Sequence, residues 1–495
     1  MLKANILAAA LCLTLATGAP SLLAAAVTSE EVSSTALDQQ SLALTIYHNN
    51  LALVKDRRTL QLPPGIQHIA ISDVSRQMQP ETALLRSISH ATSFSVLEQL
   101  FHFDLLSPEK LLEQNVGKNV SLIRTNPVNG QEISEQATLL SANNGVVLKI
   151  GPRIEAGPVD SLGRIVYHDI PADLRERPTL VVKVNNPATK QTLAKNASSS
   201  QTLELRYLTA GLSWKADYVA ELNPNEDRID LSARVTLSNN SGSRYDNAKL
   251  QLVAGDIQQI QLPMAQKMLR GNMEMAAADA SMAEESLLEY HIYTLDQTSS
   301  IADNQSKQVA LFSALAIPVR KELLLRGADY YYQSRQANLG SKLKASVFIE
   351  FENKTAAKLG MPLPKGTMRL YKKDSAGNAQ FVGEDSIAHT PKNGLVRLKS
   401  GESFDISADK IQTDFKVLPA ATQGRSAFES AYEISINNAK QEKQVVIIEE
   451  PISGEWTITT ENQPHQKMTS QLARWKIEVP AAASAKLTYR VIVKY

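Results

Sequence analysis

The sequence predicts an all-β protein made of tandem β-sandwich-like modules, and three observations support that class. Apolar and polar residues alternate at period 2 from Ser41 onward, as in Leu42, Leu44 and Ile46, a pattern typical of half-buried strands. Turn-forming residues separate these runs, beginning with the Pro-Pro-Gly turn at 63–65, which indicates a hairpin. A β-rich segment that ends in asparagine also recurs along the chain.

The recurring segment occurs at 182–186, 235–240, 347–354 and 434–438, and each instance ends in a polar turn centred on asparagine. The irregular spacing favours stacked sandwich modules over a solenoid of fixed period. The alternative is that asparagine simply ends strands, because its side chain can bond to the backbone of a turn. The sequence leaves both interpretations open.

Two segments depart from the β pattern. Residues 107–115 are predicted to form a short helix, because Ser107 can serve as the N-cap and Pro108 as the first helical residue. Residues 261–289 are rich in alanine, methionine, glutamine and glutamate, which predicts a helical or disordered insertion between β elements. As a unit of the domain organisation, this insertion is taken to span 261–300.

The amino terminus has the features of an export signal. Lys3 precedes an apolar stretch at 6–16, and the small residues at 24–26 follow, so residues 1–26 are predicted to be a signal peptide cleaved between Ala26 and Val27. Cleavage after Gly18 is the alternative, because Ala16 and Gly18 also fit the rule of small residues. The single cysteine, Cys12, lies inside this signal, and the mature chain therefore has none. A large exported protein without disulfides is typical of bacteria, which predicts a periplasmic or secreted location.

The rest of the chain divides into three predicted parts. Residues 27–40 are small and polar and are expected to be a flexible lead-in. Residues 41–200 are assigned to an amino-terminal β domain, with a polar linker at 185–201. Residues 201–495 form the second β part, which contains the insertion.

Charge and hydropathy exclude two classes of function. Removing the signal takes Lys3 from the 52 basic residues and leaves 51 against 51 acidic ones, so the mature chain has no formal net charge. Nucleic acid is therefore not an expected partner, because phosphate binding requires a basic excess. No apolar run after the signal reaches the roughly 20 residues of a membrane span, and no integral span is expected in the mature chain.

Motifs of enzyme chemistry are missing from the sequence. It contains no H-E-x-x-H, G-x-S-x-G or P-loop pattern, and the mature chain has no cysteine for thiol catalysis. We therefore expect no cofactor and favour a non-enzymatic role. A catalytic site assembled from distant residues is recognised only by its geometry, so a hydrolase or another enzyme with such a site is an alternative.

Two clusters are candidate binding sites. Tyr330, Tyr331 and Tyr332 are the densest aromatic group; on a strand they would point to both faces, one buried and one able to stack on a sugar or peptide, with core packing as the alternative. Met273 and Met275 offer soft thioether ligands that could bind Cu(I). Their helix-forming surroundings also suit a partner-docking or flexible segment.

Several longer motifs together resemble one bacterial family, called domain of unknown function 4139. They include Gly211-Leu212-Ser213-Trp214 and Leu252-Val253-Ala254-Gly255-Asp256, and the matching segments are 208–218, 235–240, 252–256, 289–293, 303–308, 361–366 and 381–385. Shorter similarities at 47, 52–54, 62–65 and 73–74 extend the resemblance over nearly the whole mature chain. The resemblance implies an exported, β-rich protein of unassigned activity, and it supplies no catalytic residues.

Together, these features predict an exported, soluble protein of the bacterial envelope that binds or scaffolds an unknown ligand. An envelope protein or a glycan is the expected partner. An enzyme with an unrecognised site and an outer-membrane-associated protein are the alternatives.

Overall fold

The computed structural model describes residues 31–89, 94–102, 104–143, 145–158, 163–171, 174–187, 199–255, 257–258, 282–419 and 426–495. The predicted signal peptide, its cleavage site at Ala26 and Val27, and the methionines Met273 and Met275 lie outside these residues. Across the described ranges the regular secondary structure is mostly β-strand with few helical residues, which confirms the predicted all-β class.

The strands are numbered in chain order. The amino-terminal strands are β1 Val32–Ser34, β2 Gln39–Tyr47, β3 Leu51–Leu62, β4 Gly65–Ser72, β5 Leu84–Ser87, β6 Ser95–His102, β7 Asn119–Thr125, β8 Glu132–Ser141, β9 Val146–Ile150, β10 Arg153–Gly157, β11 Arg164–Val166 and β12 Thr179–Asn186. The next are β13 Ser199–Thr209, β14 Leu212–Leu222, β15 Arg228–Asn239, β16 Tyr245–Ala254, β17 Met282–Leu287, β18 Tyr290–Leu295, β19 Ser299–Ile301, β20 Gln305–Pro318 and β21 Arg320–Arg326. The last are β22 Leu343–Glu352, β23 Gly366–Lys373, β24 Ala379–Ile387, β25 Leu395–Leu418, β26 Ala427–Asn438, β27 Gln444–Pro451, β28 Glu455–Glu461, β29 Gln466–Thr469, β30 Leu472–Val479 and β31 Ala483–Lys494.

Helical structure within the described residues is short. The α-helix α1, Pro108–Gln114, begins as predicted, with the Ser107 hydroxyl accepting a hydrogen bond from the Lys110 backbone N–H. Single 3-10 turns occur at Ala36–Asp38, Pro80–Thr82, Tyr330–Tyr332 and Thr355–Ala357.

The described strands form five sheets. A four-stranded sheet has the order β1-β4-β12-β6, and a five-stranded sheet inserted between β6 and β12 has the order β10-β9-β8-β7-β11. An eight-stranded sheet runs β17-β18-β16-β2-β3-β13-β5, with β19 also paired to β16. A second five-stranded sheet runs β20-β15-β14-β23-β24, and a nine-stranded sheet runs β28-β31-β26-β25-β22-β21-β27-β30-β29.

The eight-stranded sheet crosses the predicted boundary near residue 200. Strand β3 pairs with β13 from Leu62↔Ser199 to Ala52↔Thr209, and β2 pairs in parallel with β16. One apolar core accordingly contains residues from Leu42 to Leu398. Period-2 alternation identifies strands but carries no information about their partners, so the sequence does not reveal this interleaving.

The predicted helical or disordered insertion is wrong for its last residues. Met282–Leu287 form β17, which pairs antiparallel with β18. The helix propensity of Ala, Met and Glu is a weak preference that strand pairing overrides. Residues 259–281 lie outside the described ranges.

The nine-stranded sheet folds back on itself into a two-layered sandwich. Its two edge strands, β28 and β29, follow each other in the chain with only residues 462–465 between them, a link that spans no more than about 18 Å. The two edges must therefore lie close together. Trp475 of β30 and Tyr489 of β31 accordingly meet with ring centroids 4.8 Å apart. This unit is called the C-terminal sandwich below.

The recurring asparagines share one local geometry. Asn186, Asn353 and Asn438 are buried, and each side-chain amide donates to the carbonyls of a residue and of the proline that follows it. The carbonyl pairs are Leu62 and Pro63, Thr390 and Pro391, and Val479 and Pro480. Asn239 instead donates to the carbonyls of Ser243 and Ala302. Each asparagine therefore ends a strand and ties it to a neighbouring loop.

Replacing Asn438 with alanine should destabilise the C-terminal sandwich by about 1–3 kcal/mol, because buried carbonyls lose their donor. The neighbouring Asn437 is exposed, and Asn437→Ala should change the free energy of unfolding by less than about 0.5 kcal/mol. Urea unfolding followed by the fluorescence of Trp456 and Trp475, both in this sandwich, measures the difference. Equal effects of the two substitutions would contradict the assignment.

Candidate functional site: a cationic sheet face and two buried clusters

The outer surface of the eight-stranded sheet carries a row of cations. In β3, Val54 is buried and faces the core, so strand alternation places Lys55 on the opposite face. The pairing register aligns Lys249 of β16, Ala43 of β2, Lys55 of β3 and Arg206 of β13 across the sheet. Three cations from distant parts of the chain therefore share one row.

The next row is built around a buried carboxylate. Glu204 of β13 pairs in register with Arg57 of β3 and Arg86 of β5, and its side chain is only 1% exposed. It accepts hydrogen bonds from Arg57 Nε at 2.7 Å, Arg86 Nη2 at 2.7 Å and Arg206 Nε at 2.5 Å. Burial by itself would raise the pKa of Glu204, but the three guanidiniums outweigh it and lower the pKa to about 2.

The guanidiniums remain accessible although Glu204 is buried. The side chains of Arg57 and Arg86 are about half exposed, and that of Arg206 is one third exposed. Arg57 and Arg206 contact Glu204 through Nε, and among the described residues no hydrogen bond occupies their Nη groups. The six side chains Lys55, Arg57, Arg86, Glu204, Arg206 and Lys249 are called the arginine face. It combines five cations with one carboxylate.

Protonating Glu204 should remove its contribution to stability. Its pKa is lowered in the folded protein, so its contribution is present above about pH 4.5 and is lost as the pH falls toward 2. Screening at the exposed arginines reduces the effect to about 1–3 kcal/mol. Thermal unfolding of wild type and Glu204→Gln should differ at pH 7 and converge near pH 2.

The control for this pH dependence is Glu132→Gln, because Glu132 is 55% exposed and pairs with the exposed Arg164. This substitution should leave the unfolding temperature nearly unchanged at pH 7. A constant difference between wild type and Glu204→Gln across the pH range would contradict the assignment.

The predicted tyrosine site has a different geometry from the one expected. Tyr330–Tyr332 form a 3-10 turn rather than a strand, so the prediction that alternate tyrosines face opposite sides of a sheet is wrong. Tyr331 and Tyr332 are buried, and Tyr330 is 57% exposed. A stacking role on a sugar or peptide stays a prediction, and Tyr330 is the exposed ring of the three.

The two buried tyrosines belong to a polar cluster in the C-terminal sandwich. Both hydroxyls donate to Glu450 Oε2, and Tyr332 Oη also lies 3.0 Å from Tyr489 Oη. Lys410 Nζ donates to Glu450 Oε1 at 2.6 Å and lies 4.0 Å from the Tyr331 ring centroid. Both charged side chains are at most 4% exposed. Burial lowers the pKa of Lys410, while Glu450 acts in the opposite direction.

Strand alternation around the two charges is a sequence signal for this cluster. Lys410 follows Ile406 and Ala408 at period 2, and Glu450 follows Val446 and Ile448 in the same way. Alternation alone places both charges on inward faces of their strands. A charge at an apolar position is rarely buried unless it is paired, so each charge indicates a buried partner, although the pattern does not identify which one.

Two of the motifs that carry the family resemblance, 208–218 and 289–293, meet at Trp214. The His48 ring stacks on the indole with centroids 3.9 Å apart, His389 lies 5.5 Å from His48, and Tyr293 lies 6.5 Å from Trp214. Trp214 is 3% exposed. These motifs therefore build a packed aromatic core beneath the sheets, rather than an open cleft.

A proline-rich loop, residues 361–366, closes over this core. Tyr218 Oη donates to the Pro364 carbonyl at 2.7 Å, and Tyr293 Oη donates to the Pro362 carbonyl at 2.8 Å. The Lys365 backbone N–H donates to His389 Nδ1 at 3.2 Å. Three separate motifs thus hold one another in place through backbone carbonyls and buried rings.

Metal-ligand clusters and membrane-spanning helices are absent from the described part of the chain. There, no three or more His, Cys, Asp or Glu side chains are grouped as metal ligands would be. Among the same residues, no helix has the length and apolar character needed to cross a membrane.

Comparison with known proteins gives one family match. Residues 203–495, about 60% of the chain, match the family model described as Domain of unknown function (DUF4139). The match begins in β13 and excludes the preceding residues, so the predicted resemblance over nearly the whole mature chain is too broad. No curated protein matches the chain.

Proposed function

Because the chain belongs to the DUF4139 family, whose function is unknown, we propose a function from its own surface: it is an exported envelope protein that binds an anionic partner through the arginine face. The observation that carries the proposal is the set of three guanidiniums held by the buried carboxylate of Glu204.

Preorganisation is the first argument for binding. Glu204 holds Arg57, Arg86 and Arg206 in place before any ligand arrives, so less side-chain freedom is lost on association. Guanidinium groups donate pairs of parallel N–H bonds to phosphate or carboxylate oxygens. The Nη groups of Arg57 and Arg206 are the donors available for this contact.

Charge distribution is the second argument. The mature chain is predicted to carry 51 basic and 51 acidic residues, yet the arginine face combines five cations with one carboxylate. A local excess of positive charge on a protein without net charge attracts anions to that part of its surface and not to the rest. An envelope protein with an acidic surface and an anionic glycan are partners of suitable chemistry.

A binding role is favoured over a catalytic one by the state of the carboxylate. Glu204 accepts hydrogen bonds from three guanidiniums, and its pKa of about 2 makes it a poor general base near neutral pH. The other members of the arginine face are arginines and lysines, which donate hydrogen bonds to an anion. Such a surface binds anions and does not transfer protons.

The test is the retention of the protein on heparin, a polyanion, immobilised on a matrix. Arg57→Gln/Arg206→Gln should elute at a lower salt concentration than wild type, because each lost contact between a cation and the polyanion weakens binding. Lys55→Gln/Lys249→Gln should shift elution in the same direction without disturbing Glu204. If both variants eluted at the same salt concentration as wild type, the proposal would be overturned.

The matched control removes two arginines elsewhere. Arg164 pairs with Glu132 and Arg177 with Asp73, and both side chains are 64% exposed. Arg164→Gln/Arg177→Gln changes net charge by the same amount as the arginine-face variant. Its elution should stay close to that of wild type. A shift seen only in the arginine-face variant then depends on where the two charges are lost and not on the net charge.

Export is tested separately on the full chain. Amino-terminal sequencing of protein from a periplasmic fraction should begin at Val27 if the predicted signal is cleaved after Ala26. Protein that retains Met1, or that stays in the cytoplasmic fraction, would contradict this part of the proposal.

A further inference from the structure

Resting on the proposed function, we infer that the anionic partner of the arginine face is the phosphate-bearing surface of a membrane, on which the protein docks by its eight-stranded sheet.

The two-dimensional layout of the cations favours an extended partner. From Lys249 on β16 to Arg86 on β5 the face covers four strand steps, which is about 19 Å at about 4.8 Å per strand. The Arg57 row lies two residues along the strands from the Lys55 row, which adds about 7 Å in the other direction. One small anion cannot contact this array, whereas lipid headgroups present phosphates across a plane.

Exposed apolar side chains beside the cations also favour a membrane as the partner. Leu84, on the edge strand β5, is 55% exposed, and Ile88, just after it, is 43% exposed. Both flank Arg86 and share its side of the sheet by strand alternation. Apolar groups next to cations can enter the boundary between headgroups and acyl chains. The lysine stems can likewise lie along that boundary, with their ammoniums at the phosphates.

The composition of the Lys55 row also favours a membrane over a protein partner. An acidic protein surface would gain from hydrogen-bond acceptors and donors mixed among the cations, as protein interfaces have. The Lys249, Ala43, Lys55 and Arg206 row continues to Leu84 of β5 and so combines cations with apolar groups. Each cation near an anionic membrane adds attraction independently, which suits this arrangement.

The experiment is sedimentation of the mature chain with vesicles of phosphatidylcholine alone or of phosphatidylcholine mixed with phosphatidylglycerol. Wild type should pellet with the mixed vesicles only, and added salt should release it. Arg57→Gln/Arg206→Gln and Lys55→Gln/Lys249→Gln should each weaken binding by about tenfold or more. Arg164→Gln/Arg177→Gln should bind as wild type does.

A separate variant tests what the two apolar side chains contribute to membrane binding. Leu84→Ser/Ile88→Ser leaves every charge in place, so its retention on heparin should match wild type. Its binding to the mixed vesicles should nevertheless fall, because the apolar groups act only at a membrane. Thermal unfolding of all variants shows that each remains folded.

Three outcomes would overturn the inference. Retention on heparin through the arginines, without binding to mixed vesicles, would leave the proposed function in place and reject the membrane. Capture of an acidic periplasmic protein through the same arginines, again without vesicle binding, would assign the face to a protein partner. If the variants still bound both heparin and the mixed vesicles as wild type does, the inference and the proposed function would both be rejected.

Discussion

Replacing Lys410 with methionine should destabilise the C-terminal sandwich by about 3–5 kcal/mol, because it leaves the buried carboxylate of Glu450 without its cation. Glu450 is 1% exposed, and its remaining partners are the hydroxyls of Tyr331 and Tyr332. Two neutral donors do not balance a charge in an apolar core. Urea unfolding followed by the fluorescence of Trp456 and Trp475 measures the loss.

The double variant Lys410→Met/Glu450→Gln should recover more than half of that loss. It removes both charges, and the glutamine carbonyl can still accept from the tyrosine hydroxyls. Replacing a buried ion pair with neutral groups of similar volume is often close to neutral. The control is Lys416→Met, since Lys416 is 59% exposed and pairs with the part-exposed Asp414, and it should cost less than about 1 kcal/mol. No recovery in the double variant would show that charge burial is not the source of the effect.

Replacing Trp214 with alanine should destabilise the protein by about 3–5 kcal/mol, because it leaves a large cavity at a site that packed rings surround. The indole contacts His48 and Tyr293, and Tyr293 also anchors the 361–366 loop through the Pro362 carbonyl. Trp214→Phe should recover a good part of the loss, because an aromatic ring still stacks on His48. Chemical unfolding followed by far-ultraviolet circular dichroism measures both variants.

The control for Trp214 is Phe404→Ala. Phe404 is 88% exposed, so removal of its ring should change the free energy of unfolding by less than about 0.5 kcal/mol. A Trp214→Ala protein with wild-type stability but altered retention on heparin would contradict a structural role for this core. It would place Trp214 in the binding function instead.

Several elements follow from local sequence and could be predicted. Strand alternation identified the β class, because each strand buries every second side chain whatever its partner is. Ser107 and Pro108 predicted α1, since an N-cap acts within one helical turn. The asparagine turns were also visible, although their shared contact with a residue–proline carbonyl pair required the fold.

The candidate sites were harder to predict, because their residues are far apart in the chain. Arg57 and Arg86 reach Glu204 across 147 and 118 positions, and only the pairing of β3 and β5 with β13 brings them together. Alternation places Glu204 on the outer face, beside Thr202 and Arg206, as if it were solvated. Its burial results from the arginines that cover it, which strand patterns do not describe.

The sequence alone determined the all-β class and the capped helix at 108, because these depend on contacts or periodicities within a few residues; the export signal stays a prediction. The tertiary structure decided which strands pair across residue 200, that Met282–Leu287 join a sheet, and that Tyr331 and Tyr332 meet Lys410 and Glu450. The physical reason is that long-range pairing releases enough free energy to override weak local propensities. The cationic face proposed for binding belongs to this second group.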